Sequence, residues 1–153
     1  MTKKTRFAFI GGGSGSFIGP AAHLRALSMD NQGEIVAGAF SSDPAKSRAA
    51  ATDYRIDSDR AYDTWKAMLE GERTRPDGAT AISIVTPNHL HGPCATAAWE
   101  RGYDVVCDKP LCDSLDAAEA LYHTVKGTGA KQTFALTHNY LRNPMAVMAA
   151  ELI

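Results

Sequence analysis

Lys109 stands between Asp108 and Pro110, directly after a short apolar run with the character of a buried strand. An ammonium at the mouth of a parallel sheet, fixed by a following proline, can hydrogen-bond a substrate hydroxyl and stabilise alkoxide charge as it develops. Partial burial would lower its pKa and let it share in proton transfer. A surface salt bridge from Asp108 to a neighbour explains the same residues without chemistry. Spacing alone leaves both open.

Residues 11–19 run Gly-Gly-Gly-Ser-Gly-Ser-Phe-Ile-Gly. Glycine is required where a turn is tight and where backbone must approach a pyrophosphate with no Cβ in the way. The N-terminus of a following helix then offers free N–H groups and partial positive charge to the phosphates. Gly11, Gly13, Ser14, Gly15, Ser16, Phe17 and Ile18 are therefore candidate dinucleotide ligands, with the pyrophosphate expected over residues 13–17. The spacing Gly13-x-Gly15-x-x-x-Gly19 is one residue longer than the usual fingerprint, whereas a Gly11-x-Gly13 reading puts Ser16 where the third glycine belongs. No Gly-Lys-Ser/Thr closes the run, which argues against a P-loop. A flexible turn without function is the plain alternative.

Three more polar clusters follow apolar runs. A ribose-binding acid is expected about 20 residues past the fingerprint, and there the chain has Ser41, Ser42 and Asp43. Asp43 comes two residues late and could equally cap the helix opened by Pro44. Ser41 and Ser42, with Lys46 and Arg48 nearby, could instead accept the 2′-phosphate of NADP. NAD and NADP both stay open. Thr86-Pro87-Asn88-His89-Leu90-His91 could set Thr86, Pro87, Asn88 and His91 along the same ligand, with Asn88 as a helix cap the alternative. His89 and His91 have no evident third ligand, so no metal site is expected. The run from His138 through Asn139, Tyr140 and Leu141 to Arg142 would close the crevice from the far edge of the sheet. His23, His123 and Trp65 are assigned to packing or surface.

These clusters need a frame that gathers strand ends. Short apolar runs at residues 6–10, 34–40, 81–85, 103–107 and 132–136 predict strands. Helical spacing at 17–29, 44–53, 63–70, 91–101 and 114–126, and from about 143 onward, predicts the helices between them. Ile18, Ala22, Leu24 and Leu27 are expected inward on the first, and Trp65, Met68 and Leu69 on the third. Strand–helix alternation with short connections means βαβ units. Right-handed crossovers then give a doubly wound parallel sheet, an α/β fold of Rossmann type. Such sheets bind ligands at the carboxyl ends of their strands, where strand order reverses. Every cluster above lies at such an end.

Composition agrees with one soluble domain over residues 1–153: 44% of the residues are hydrophobic and 22% charged. Sixteen basic against seventeen acidic residues give a net charge of −1, with no bias toward nucleic acid or an anionic membrane. Cys94, Cys107 and Cys112 are odd in number and scattered, as free thiols in a reducing compartment would be. No apolar stretch approaches the ~20 residues needed to cross a bilayer. The basic N-terminus leads into an apolar segment that stops at Gly11, too short for a signal sequence. A cytoplasmic protein is expected.

Taken together, the chain resembles the N-terminal half of the glucose–fructose oxidoreductase / inositol dehydrogenase / rhizopine catabolism (Gfo/Idh/MocA) family. The resemblance rests on residues 10–19 with His23, on Thr86-Pro87-Asn88-His89-Leu90-His91, on Asp108-Lys109-Pro110, and on Asn139-Tyr140-Leu141-Arg142, in that order. It implies an NAD(P)-dependent oxidoreductase of sugars, cyclitols or related polyols, with Lys109 matching the lysine of the family's Glu-Lys-Pro motif beside the nicotinamide and substrate. Asp108 stands where the family usually has Glu, and the glycine loop is longer than its commonest form. By the same resemblance, Asp108, Lys109, Asn139 and Tyr140 join the residues expected at the cofactor.

Family members continue into a second α+β domain that supplies a catalytic Asp and His, much of the substrate pocket and usually the homo-oligomer interface. This chain stops at Ile153, so that domain is expected to be absent and the isolated domain to bind dinucleotide with little or no turnover. A stand-alone, non-catalytic dinucleotide-binding module or sensor is the alternative. A methyltransferase with a similar glycine loop is a third possibility.

Overall fold

In the computed structural model, which describes residues 4–29, 31–127, 129, 131–138 and 143–152, five parallel strands form one sheet. They are β1 (Thr5–Gly11), β2 (Gly33–Ala39), β3 (Ala81–Val85), β4 (Asp104–Asp108) and β5 (Phe134–Thr137), in the order β2-β1-β3-β4-β5. The chain steps outward from β1 to β2, then returns past β1 to β3. The carboxyl ends of β1 and β3 therefore flank the reversal at which a doubly wound sheet opens a crevice.

Register sorts the side chains. Phe9 lies opposite Ser83, Ser83 opposite Val106, and Asp108 opposite Thr137, so these residues share one face. Ala8, Ile10, Ile82, Ile84, Val105 and Cys107 share the other. That second face carries the main core, covered by Met68 and Leu69 of α3 (Trp65–Thr74), Ala95, Ala98 and Trp99 of α4 (His91–Glu100), and Leu121 of α5 (Leu115–Gly127). Full burial of each Leu or Met there contributes roughly 1.5–3 kcal/mol. Phe9 anchors a smaller cluster with Phe7, Leu24, Leu27 and Ile35, to which α2 (Pro44–Asp53) adds Ala50 and Ala51. Asn143 caps the last helix, α6 (Pro144–Glu151), by accepting from the Met145 N–H.

The first helix departs from expectation. Helical structure begins at Ile18 and widens at once into a π turn, Gly19–Leu24, before α1 (Arg25–Met29). A π turn holds one residue more than an α turn. His23 is buried and Ala22, expected inward, is exposed. The third helix also runs further than its apolar spacing suggested, to Thr74, and buries Glu72. Arg60, itself buried, donates from Nε to Glu72 Oε1 (3.2 Å) and from Nη2 to Oε2, while the Ala79 N–H also reaches Oε2 (2.9 Å). Residues 44–53 and 81–85 form the expected elements, whereas β4 and β5 begin one or two residues later than expected. All three cysteines are free and buried, and burial pushes the Cys94 and Cys107 thiols up to about 12. Among the described residues no helix is long and apolar enough to cross a membrane.

Candidate functional site

A crevice of about 830 Å³ lies over the carboxyl ends of β1, β2 and β3. Its floor is the glycine loop. Gly11 and Gly12 turn the chain at φ +77° and +70°, a region that L side chains rarely adopt. Tyr54 holds this turn by donating to the Gly12 carbonyl at 2.8 Å. Ser16 Oγ accepts from the Gly19 N–H at 3.2 Å and so caps the helix from within the loop. Ser14 Oγ donates to Asp53 at 2.5 Å, and Phe17 is exposed. Gly15 is unlike its neighbours, because a Cβ there would meet nothing within 4 Å. No internal packing explains a glycine at that position.

Ser41 and Ser42 line the crevice at the end of β2. Asp43 faces away from it, because its Oδ1 accepts from the Ala45 (2.8 Å) and Lys46 (3.3 Å) N–H groups and caps α2. Arg48 is ion-paired with Asp63. The opposite wall is Asp63, Thr64, Trp65 and Lys66, none of which sequence reasoning placed at the site. Trp65 packs against the main core as expected and also lines the crevice, with Lys66 Nζ 5.4 Å from its ring centroid.

At the end of β3 the wall is made by Thr86, Pro87, His89 and Leu90. One alternative falls away here, and one expectation needs correction. Asn88 is exposed and caps nothing with its side chain, since a single 3₁₀ turn, Asn88–Leu90, intervenes before α4. His91 is buried beneath the turn. Its Nε2 lies 2.9 Å from the Thr86 carbonyl oxygen and its Nδ1 2.6 Å from that of Pro110, so it ties the loops after β3 and β4 together instead of facing a ligand. Thr86 Oγ1 is buried without a hydrogen-bond partner among the described residues, the state expected of a hydroxyl kept for a ligand.

Lys109 and Asp108 line a second, apolar cavity of about 310 Å³ with Ile18, Ala22, His23 and Thr137. It lies on the face of β3 to β5 beside the start of helix one. Among the described residues Asp108 makes no surface salt bridge. It accepts from Thr137 Oγ1 at 2.7 Å and lies 3.8 Å from His23 Nε2, whose Nδ1 is 2.8 Å from Ser83 Oγ. Burial pushes the His23 pKa down, against the opposing pull of Asp108. Lys109 itself is exposed, not partly buried as expected, so its charge is available at the cavity mouth. The peptide bond to Pro110 is cis. Asn139, Tyr140, Leu141 and Arg142 lie outside the described residues, and His138 is exposed. Among the described residues no three His, Cys, Asp or Glu side chains are grouped to hold a metal.

A long crevice with a glycine floor, an orphaned hydroxyl and a sheet edge that ends at a lysine fits a dinucleotide, and the site defines an NAD-binding Rossmann domain. The chain belongs to the oxidoreductase family with the NAD-binding Rossmann fold, GFO_IDH_MocA, whose profile it matches over residues 5–136. It is 34% identical over 111 residues to an uncharacterised oxidoreductase, YfiI, of Bacillus subtilis, a match covering 72% of this chain and 28% of that protein. It is 32% identical over 113 residues to D-xylose 1-dehydrogenase (NADP(+)) 2 of Haloferax volcanii, covering 74% of this chain and 32% of that protein. The crystal structure of an inositol dehydrogenase homolog complexed with NADH and myo-inositol, from Azotobacter vinelandii, superposes with a TM-score of 0.82 at 36% identity, covering 91% of this chain and 36% of the other. The chain thus spans about a third of the length of these relatives.

Proposed function

We propose that this chain is the cofactor-binding part of an NAD(P)-dependent dehydrogenase of sugars, cyclitols or related polyols. The observation that carries the reading is a convergence: the loops after β1, β2 and β3 line one crevice, and Lys109 follows at the end of the next strand, beside the start of the same helix. Bound there, a nicotinamide dinucleotide supplies a hydride acceptor or donor. The chain's own groups bind and orient. The glycine loop lies under the pyrophosphate, with Gly15 leaving it room, while the Thr86 hydroxyl offers an unpaired donor and acceptor. At the reacting end, the Lys109 ammonium donates a hydrogen bond to the substrate oxygen, which stabilises the alkoxide that forms when hydride reaches a carbonyl carbon and, in the reverse direction, the alkoxide from whose carbon hydride departs. His91 holds the Thr86 and Pro110 carbonyls in one arrangement, and His23 with Thr137 fixes the carboxylate beside Lys109.

Calorimetric titration of the chain with NADH and, separately, S-adenosylmethionine tests the reading. NADH should bind with one site per chain and S-adenosylmethionine should give no heat. Binding of S-adenosylmethionine in place of NADH would move the chain to methyl-transfer chemistry.

A further inference from the structure

We infer that Asp63 reads the 2′ position of the cofactor and makes the site selective for NAD over NADP. This rests on the proposed dinucleotide site. In sheets of this kind the ribose diol is usually held by an acid at the end of the second strand, and that position here carries only Ser41 and Ser42, with Asp43 consumed as a helix cap. The missing carboxylate arrives from another segment. Residues 61 and 62 run alongside the end of β2: Ala61 bridges to Gly38, and the Tyr62 N–H donates to the Gly38 carbonyl at 2.9 Å. The buried Ser47 hydroxyl fastens the two together, accepting from the Phe40 N–H at 3.0 Å and donating to the Tyr62 carbonyl at 3.0 Å. Asp63 therefore joins Ser41 and Ser42 in lining the crevice, on a backbone tied to β2 by one direct hydrogen bond and, through Ser47, to Phe40 just after it.

Chemistry gives the sign. A carboxylate offers about four lone-pair positions, so Asp63 can keep its pairing with Arg48 and still accept from ribose hydroxyls. A 2′-phosphate would bring a charge of about −1.5 to −2 against the same carboxylate. The guanidinium that could neutralise it is held by Asp63. Arg48 is thus the tether of the selecting acid, not a phosphate ligand, and Lys66, which does line this wall, lies over the Trp65 ring.

The 153-residue chain should bind NADH at least about tenfold more tightly than NADPH in calorimetric titrations, the difference one hydrogen bond to a charged group commonly makes. Asp63→Asn should weaken NADH and strengthen NADPH, moving the ratio of the two dissociation constants by on the order of 10²-fold, as the acceptor is lost and Arg48 is released. Adding Arg48→Ala to that variant should abolish the NADPH gain. Equal or tighter NADPH binding by the native chain, or a ratio unmoved by Asp63→Asn, overturns the assignment of Asp63 alone. Failure of the native chain to bind either nucleotide is a different result, and it overturns the dinucleotide site itself.

Discussion

Gly19 rests directly on Gly12: a Cβ at Gly19 would fall inside the Gly12 peptide, against its carbonyl oxygen, Cα and carbonyl carbon. The first helical turn thereby touches the turn after β1 backbone to backbone, and the helix start is brought down onto the crevice floor. A Cβ at Gly15, four residues earlier, would meet nothing within 4 Å. One glycine serves the fold and the other leaves space.

Substitution should separate these roles. Gly19→Ala should cost about 3 kcal/mol of unfolding free energy, the upper part of the usual range for forcing a methyl group into packed structure. Gly15→Val should leave the urea midpoint almost unchanged and weaken NADH at least about tenfold, because its side chain would stand where the pyrophosphate lies. A Gly15→Val chain with native affinity would place the phosphates elsewhere.

Glu72 and Arg60 form a buried ion pair beneath the amino ends of the strands, with Tyr62 donating to Glu72 Oε1 at 3.1 Å. Glu72→Gln leaves the buried Arg60 guanidinium paired only with the exposed Asp77, 3.2 Å from Nη1, so it should destabilise the domain by about 3 kcal/mol, the lower end for breaking a buried pair. Burial, reinforced by the Glu72 charge, pushes the Tyr62 pKa up to about 12. Spectrophotometric titration of the folded chain should accordingly find this tyrosine ionising later than an ordinary one. A loss below about 1 kcal/mol in urea unfolding would mean the pair is hydrated and adds little.

These features differ in how far the sequence discloses them. Pro44 and the Asp43 cap define α2 locally, and a short apolar run defines β3, so both elements were legible to the residue. Glu72 was also within reach, since it falls three and four residues after Leu69 and Met68 and so on their apolar face, though a lone charge there reads as polar. Ala22 was misplaced by the π turn, whose extra residue breaks the 3.6 spacing from which it was set inward and gives the buried position to His23. Nothing local could reveal Asp63, because it reaches the crevice through pairing between Ala61 and Gly38, which lie 23 positions apart. The glycine loop needs only neighbours in sequence; the far wall needs the fold.

His23 links stability to pH with a definite sign. Its folded pKa lies below the unfolded value near 6.5, chiefly through burial. Between those two values the unfolded chain binds a proton that the folded chain does not. The stabilisation is therefore complete above pH 6.5 and is lost as pH falls from there toward the folded value. The slope is at most about 1.4 kcal/mol per pH unit for one proton. His23→Gln keeps a side-chain amide able to meet Ser83 and removes the titration. Urea unfolding between pH 7.5 and 5.5 should show a smaller loss in the variant than in the native chain. Parallel curves would mean that the unfolded-state difference lies in other groups.

Lys109 is the residue on which the chemical reading turns. It follows β4 at the carboxyl edge of the sheet, exposed at the mouth of the cavity that Asp108, His23 and Thr137 line from within. The loop that carries it is held from below, since His91 binds the Pro110 carbonyl, so its backbone position does not depend on the ammonium. Lys109→Met should then leave the fold intact and change NADH affinity by less than about threefold, because the ammonium faces the substrate oxygen and not the pyrophosphate. In an enzyme where this domain works with a substrate-binding domain, the same change should lower kcat/KM by on the order of 10²-fold or more, the range for losing one charge-stabilising or proton-transferring group. The loss should fall mainly on kcat, since the interaction strengthens as alkoxide charge develops. If turnover persists while the urea midpoint drops, Lys109 is a structural cation, and proton transfer belongs to residues outside this domain.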